Sequence, residues 1–223
     1  MRLTRRALNG ALAAGVLTGM LPALARYGAA QAGRVPEDRN FDVLLKGKRI
    51  GQHAVTFTPE GKGFRAATTL ELKVKLAFIT LLDLRHESRE LWQDDRLMEI
   101  ASLTHDDGDV FEVAATATAD GIRVESESDS IVAPPDSRTS NTIWNPDCML
   151  QSELIDARNG GVIGLVAERL GEEKVEVAGR QMRAMRYRGI TPDADGQLWY
   201  AADQLVKVRL QVRGETVDYR LVV

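Results

Sequence analysis

Leu70-Glu71-Leu72-Lys73-Val74-Lys75-Leu76-Ala77-Phe78-Ile79-Thr80-Leu81-Leu82-Asp83-Leu84 is the stretch that decides the fold. Leu70, Leu72, Val74, Leu76, Phe78, Leu82 and Leu84 occupy even positions, while Glu71, Lys73 and Lys75 occupy odd ones. Successive side chains of a β-strand point to opposite faces of its sheet, so this period of two predicts a half-buried strand and not a helix. The alternation lasts about fifteen residues where strands usually run roughly 3–10, which calls for a bend or for one stave of a curved sheet. From Ala77 onward the odd face turns apolar too, through Ala77, Ile79 and Leu81.

Working outward, the same alternation recurs. Val206, Val208, Leu210 and Val212 alternate with Lys207, Arg209 and Gln211, and a turn at Arg213-Gly214 leads into Val217, Tyr219 and Leu221. Asp107-Gly108, Asp120-Gly121 and Asp195-Gly196 punctuate further runs, and both residue types tolerate the positive φ of tight hairpin turns. The expected fold is mainly β, a single curled antiparallel sheet forming a half-barrel or barrel. Asn145-Pro146-Asp147 predicts a short helix over Cys148 to Glu153, with a capping side chain, proline in the first turn and an acid at the positive end of the dipole. Ile163, Val166, Ala167 and Leu170 match helical spacing, but Gly164 favours a strand. Ser126 to Asn141, rich in Ser and Asp around Pro134-Pro135, reads as an exposed loop.

The N-terminus carries an address. Thr4-Arg5-Arg6 precedes an apolar run from Ala7 to Ala25, and Ala30-Gln31-Ala32 offers the small-x-small pattern of signal-peptidase cleavage. The arginine pair resembles a twin-arginine signal, with general secretion as the alternative. Residues 1–32 are thus expected to be a helical export signal, 33–39 a flexible mature N-terminus and 40–223 a single antiparallel β domain, periplasmic or secreted. No lipid-attachment cysteine follows the apolar run, so no membrane anchor is expected in the mature chain, and the expected partner of the signal is the export machinery. Of 29 basic residues, four arginines lie in that signal, which holds no acid. The remaining 25 basic and 32 acidic side chains give the mature chain a formal charge of −7, which argues against nucleic acid as a partner. About 190 residues bury enough surface to fold without disulfides, consistent with the lone Cys148.

Phe41-Asp42-Val43, Lys48-Arg49-Ile50-Gly51, Ile143-Trp144-Asn145-Pro146, Gly171-Glu172-Glu173 with Val175, Val177, Ala178-Gly179-Arg180, Ala184 and Tyr187, and finally Leu198-Trp199-Tyr200 resemble a family of exported bacterial proteins of unknown function. The resemblance spans nearly all the mature chain. It implies an envelope β-protein whose sheet curls into a half-barrel or barrel, and it carries no catalytic residues across.

Chemistry has to be weighed residue by residue. Cys148 has no histidine at a recognised spacing and is expected to be a buried thiol. His105 and Asp107 share a strand face, but a single such pair is an incomplete metal site, and Asp106-Asp107-Gly108-Asp109 lacks the alternating acids of a calcium loop. No catalytic residue, metal site or cofactor is expected. Trp92, Trp144 and Trp199 are expected to plug the core. The leading functional expectation is a non-catalytic carrier whose concave face, lined by Leu76, Ala77, Phe78, Ile79, Leu81, Leu82 and Trp199, holds a lipophilic small molecule. A protein-docking or assembly module comes second, and an enzyme with an unrecognised site third.

Overall fold

The computed structural model describes residues 35–76, 79–127, 129–212 and 214–222, and leaves out the side chains of residues 75–81. The expected export segment, residues 1–32, lies outside the described residues. Sixteen strands follow one another: β1 (Arg39–Leu45), β2 (Lys48–Glu60), β3 (Gly63–Leu76), β4 (Ile79–Gln93), β5 (Arg96–Asp106), β6 (Asp109–Thr118), β7 (Gly121–Ser126), β8 (Ser130–Ala133), β9 (Arg138–Thr139), β10 (Glu153–Ile155), β11 (Val162–Gly164), β12 (Val166–Val177), β13 (Arg180–Ile190), β14 (Asp195–Ala201), β15 (Gln204–Val212) and β16 (Glu215–Leu221). Thirteen make one antiparallel sheet in the order β12-β13-β14-β15-β16-β1-β2-β3-β4-β5-β6-β7-β8, and β11-β10-β9 make a second, small one. Closing the chain's two ends into β1–β16 pairs puts β1 in the middle of the sheet.

The long alternating stretch is not one strand. Leu76 pairs with Ile79, so the chain reverses there and the fifteen residues are two strands of a hairpin. Nothing announced the turn, because no Gly, Asn or Asp lies between those residues. Asp94-Asp95 and Ala202-Asp203 turn with positive φ at both positions through aspartate, without a glycine. Asp107-Gly108 does turn as expected, with φ of 51° and 107°. Asp195-Gly196 does not: it pairs inside β14 with Ile190 and Gly189, and the reversal falls at Thr191–Ala194. Its glycine answers to packing, since a Cβ there would come within 2.8 Å of Leu210 Cδ2.

Residues 134–165 lie against one face of the large sheet, and they require that sheet to curl. Gly160 packs on Ser126 of β7, while Met149, eleven residues earlier, packs on Gly189 of β13. Ten strand spacings separate β7 from β13, roughly 48 Å on a flat sheet at about 4.8 Å each. Eleven residues that include the β10–β11 hairpin fall well short of that span. The sheet therefore wraps around the insert, yet it does not close, for β8 and β12 remain unpaired at its edges. The short β8 runs into Pro134-Pro135, and β12 is charged along its length and bulged between Arg169 and Gly171. Both devices discourage edge-to-edge aggregation.

Within the insert, the expected helix is a 3₁₀ segment, Pro146–Leu150, shorter than the sequence suggested; Asn145 accepts from the Asp147 N–H as its cap. A second 3₁₀ segment, Ser140–Trp144, starts at a capping box between Thr139 and Thr142. The expected exposed loop over Ser126 to Asn141 instead contains β8 and β9, and Ser137, Arg138, Thr139 and Asn141 are buried. Two apolar clusters fill the concave side. Trp144 stacks edge-on with Phe57, Phe64 and Trp92 in one, and Phe41, Val43, Cys148, Leu198, Tyr200 and Tyr219 meet in the other. Trp92 and Trp144 are thus core plugs, as expected.

Candidate functional site

The inner face of β4 changes character along its length. Leu84 and Trp92 are apolar, but His86, Ser88 and Glu90 between them are polar and all but sealed, with 2%, 4% and 1% of their surface exposed. Buried polar groups need partners, and the insert supplies them. Asn141 Nδ2 donates to Ser88 Oγ at 2.7 Å and lies 3.2 Å from His86 Nε2. His86 Nδ1 is 2.8 Å from Thr104 Oγ1, so with Nε2 accepting from Asn141 the proton sits on Nδ1. Glu90 accepts from Thr139 Oγ1 at 2.7 Å and from Trp92 Nε1 at 3.0 Å. Ser102 Oγ donates to the Ala157 carbonyl at 2.5 Å and continues the seam.

Electrostatics follow from that burial. Desolvation holds His86 down at about 4, with Arg158 adding to the effect and Asp156 and Asn141 opposing it. His53, two strands away on the same face, is also lowered to about 4 by burial and by His86. Its Nδ1 has no hydrogen-bond partner, and its ring packs against Phe41 and Tyr219. Burial also pushes the Glu90 carboxyl up, against the hydrogen bonds that favour its charged form. A catalytic assignment would need a substrate atom within reach of these groups. The insert covers them, so the seam fastens the insert to the sheet and fixes its register. The polar positions were legible in the sequence as a break in the apolar even face of β4; their partners, about fifty residues away, were not.

Of the expected ligand-binding residues, only the side chains of Leu82 and Trp199 are among those described, and these two do not come together. Ala77 and Phe78 lie outside the described residues, and so do the side chains of Leu76, Ile79 and Leu81. Leu82 is half-buried in the β3–β4 hairpin. Trp199 is six strands away, and it faces outward. There it packs with Val175, Val177, Ala184 and Val206, donates to Glu173 Oε1 at 2.5 Å and carries Lys207 Nζ over its ring at 4.7 Å. Trp199 therefore belongs to an outer cluster and not to a concave lining. Cys148 is fully buried as expected, and desolvation pushes its thiol up to about 12. Asp107 is occupied, accepting the Asp83 N–H at 2.7 Å, and among the described residues no group of three His, Cys, Asp or Glu could hold a metal ion.

Among the clefts of the outer face, two bear on the expected site and on the β12–β13 hairpin. One, of about 780 Å³, is lined by Asp83, Arg85, Glu87, His105 and Asp107, but its charges are satisfied internally, Arg85 by Glu87 at 2.5 Å and Asp83 by Lys73. The other, of about 220 Å³, lies where the tip of the β12–β13 hairpin, at Val177 and Ala178, meets Leu44, Val206 and Leu221. β12 is five strands from β1, so that tip reaches across the outer face of β14, β15 and β16, and it explains why Leu44, pointing away from the core, is only 5% exposed.

No curated protein matches this chain. Among solved structures, a β-barrel-like protein of the domain of unknown function DUF1849 from Brucella abortus is similar, with a TM-score of 0.63 over 84% of this chain and 96% of that one. Only 10% of residues are identical, so the likeness is one of fold. The match that extends to sequence covers residues 41–222, from the first buried aromatic of β1 to the residue that follows β16, and by it the chain belongs to the family described as domain of unknown function DUF6134.

Proposed function

We propose that this is an exported, non-catalytic envelope protein that docks a partner protein through its β3–β4 hairpin. The observation that carries the reading is an extension of the backbone. β2 pairs with β3 only as far as Leu72, and β5 with β4 only as far as Leu84. Asp83 is still held by Asp107 through both its backbone groups, but the last pairs of the hairpin, Val74 with Leu82, Lys75 with Thr80 and Leu76 with Ile79, have no paired strand on either side among the described residues. At about 3.3 Å per residue this is an arm of roughly 10 Å with two open backbone edges, and its sequence sets the apolar Val74, Leu76, Ile79 and Leu82 beside Lys75 and Thr80. A strand or groove of a partner can satisfy those edges and cover that apolar surface together. The concave face, by contrast, is filled by residues 134–165, which removes the interior space on which a carrier would depend.

Photo-crosslinking in the native compartment tests this. A benzoylphenylalanine at Val74 or Leu82 should give a discrete protein adduct, and one at exposed Val132 should not. Failure at both arm positions in a folded, exported protein overturns docking by the arm. Export has its own test: Arg5→Lys with Arg6→Lys keeps the charge but removes the paired guanidinium groups, so loss of export supports the twin-arginine route and unchanged export assigns the general one.

A further inference from the structure

The charges around the β3–β4 arm are sorted by side. The β3 flank is basic: Lys73 and Lys75 lie on β3, and Lys48 and Arg49 lie on β2 beyond its last pair with β3, Gly51 with Leu72. The β4 flank is acidic: Asp83 is on β4 itself, and Asp106, Asp107 and Asp109 surround the β5–β6 turn beside it. Lys73 is held by Asp83 and Arg49 by Asp42, whereas Lys48 and the exposed Asp109 form no ion pair among the described residues. On this acidic side the ladder ends cleanly. The Asp107 N–H donates to the Asp83 carbonyl at 3.0 Å and its carboxylate accepts the Asp83 N–H at 2.7 Å, so the free edge of β4 begins at Leu82 and lies in line with β5 beyond its turn. From Val74 to Leu82 the arm carries one charge, Lys75.

We infer that the partner docked by the arm is a second copy of this chain, the two β4 edges pairing antiparallel about a two-fold axis close to Thr80. This rests on the docking reading above and supplies its partner. In such a pair the arm of each copy lies in line with β5 and β6 of the other, and each tip, with Lys75, is set against the other copy's acidic β5–β6 turn. The two-fold makes that favourable contact twice and closes the assembly at a dimer. Pairing the β3 edges instead sets both tips against the basic flank, and like charges so placed repel. Pairing β3 of one copy with β4 of the next sets one of the two tips against the basic flank and leaves an open edge at each end, the geometry of a filament. Charge therefore selects the β4 edges and the closed dimer.

Sedimentation equilibrium of the exported protein, purified from its native compartment, tests the assignment. The wild type should show a reversible monomer–dimer equilibrium. Lys75→Glu and Asp109→Lys should each weaken it about tenfold, because the two-fold repeats every charge reversal, and the double variant should recover most of the loss. Thr80→Cys should form a disulfide-linked dimer on air oxidation, since residues facing each other across an antiparallel pair are about 4.5–5.5 Å apart at Cα, within disulfide range, while Lys48→Cys should not. Unchanged circular dichroism verifies that each variant is folded. A protein that sediments as a monomer at every concentration, a dimer indifferent to the charge reversals, or a Thr80→Cys protein that stays unlinked overturns the inference. A monomeric protein that still gives an adduct with a different protein from Leu82 in the native compartment overturns the second copy and leaves docking by the arm standing; a monomer without any adduct removes both.

Discussion

Two long hairpins of one sheet meet opposite fates. The β12–β13 hairpin folds back over the outer face, and its Val175, Val177 and Ala184 become a small core with Trp199 and Val206. The β3–β4 hairpin runs straight past both of its neighbours. Both carry apolar residues on a face that simple alternation would leave wet. An apolar run is therefore not by itself a binding surface; its meaning depends on whether the chain can bend back to cover it. The bulge between Arg169 and Gly171, with Gly171 at φ 112°, gives β12 the local twist for that return. The arm has an irregularity between Val74 and Lys75, but among the described residues no strand pairs beside it beyond Leu72 and Leu84.

The contrast can be broken most forcefully at Trp199. Trp199→Ala removes the centre of the outer cluster and should cost about 3–5 kcal/mol of stability. Chemical denaturation gives the number, and a loss below about 1 kcal/mol would mean that the β12–β13 hairpin is as loosely attached as the arm.

Acid should act on the interior and spare both hairpins. His53 and His86 are held at about 4, below the 6.5 of an exposed histidine, so the unfolded chain takes up protons that the folded one refuses. Their contribution to stability is complete above about 6.5 and disappears as pH falls from there toward about 4, on the order of 2–3 kcal/mol for His53. Glu90, raised by burial, works in the opposite sense, so the histidine share is isolated by substitution. His53→Phe replaces a ring with an unpartnered buried nitrogen and should be neutral or stabilising at pH 7 while flattening the acid limb. Stability measured at pH 7 and at pH 5 decides it, and an undiminished pH dependence would assign the acid loss elsewhere.

The smallest effect belongs to the arm. Leu82→Ala should cost less than about 1 kcal/mol, because the side chain is only partly buried, whereas a buried leucine would cost about 2–5 kcal/mol. A large loss would place the arm in the same class as the outer hairpin and count against docking.

The sequence by itself determined the β class, the antiparallel meander of the C-terminal third, the turns at Asp107-Gly108 and Gly214, the Asn145 cap that starts a short helical segment, though not that segment's 3₁₀ form or its end, and the burial of Cys148. These rest on local rules, period two and turn or cap chemistry, that act within a few residues. Tertiary structure alone decided where Leu70 to Leu84 reverses, since hydrophobic alternation runs through a tight turn as readily as along a strand. It also decided that residues 134–165 fill the concave face, turning an expected loop into the partner of His86, Ser88 and Glu90. Trp199 faces outward by the plain alternation of β14, between the inward Leu198 and Tyr200; what tertiary structure added is its cover, the β12–β13 hairpin and Val206, the extra residue of β15 at the irregularity opposite it. The meeting of Lys207 with Arg220 and Leu44 with Val177 depends on strands that the chain brings together over long loops of sequence, and no periodicity within a strand encodes which strand will lie beside it.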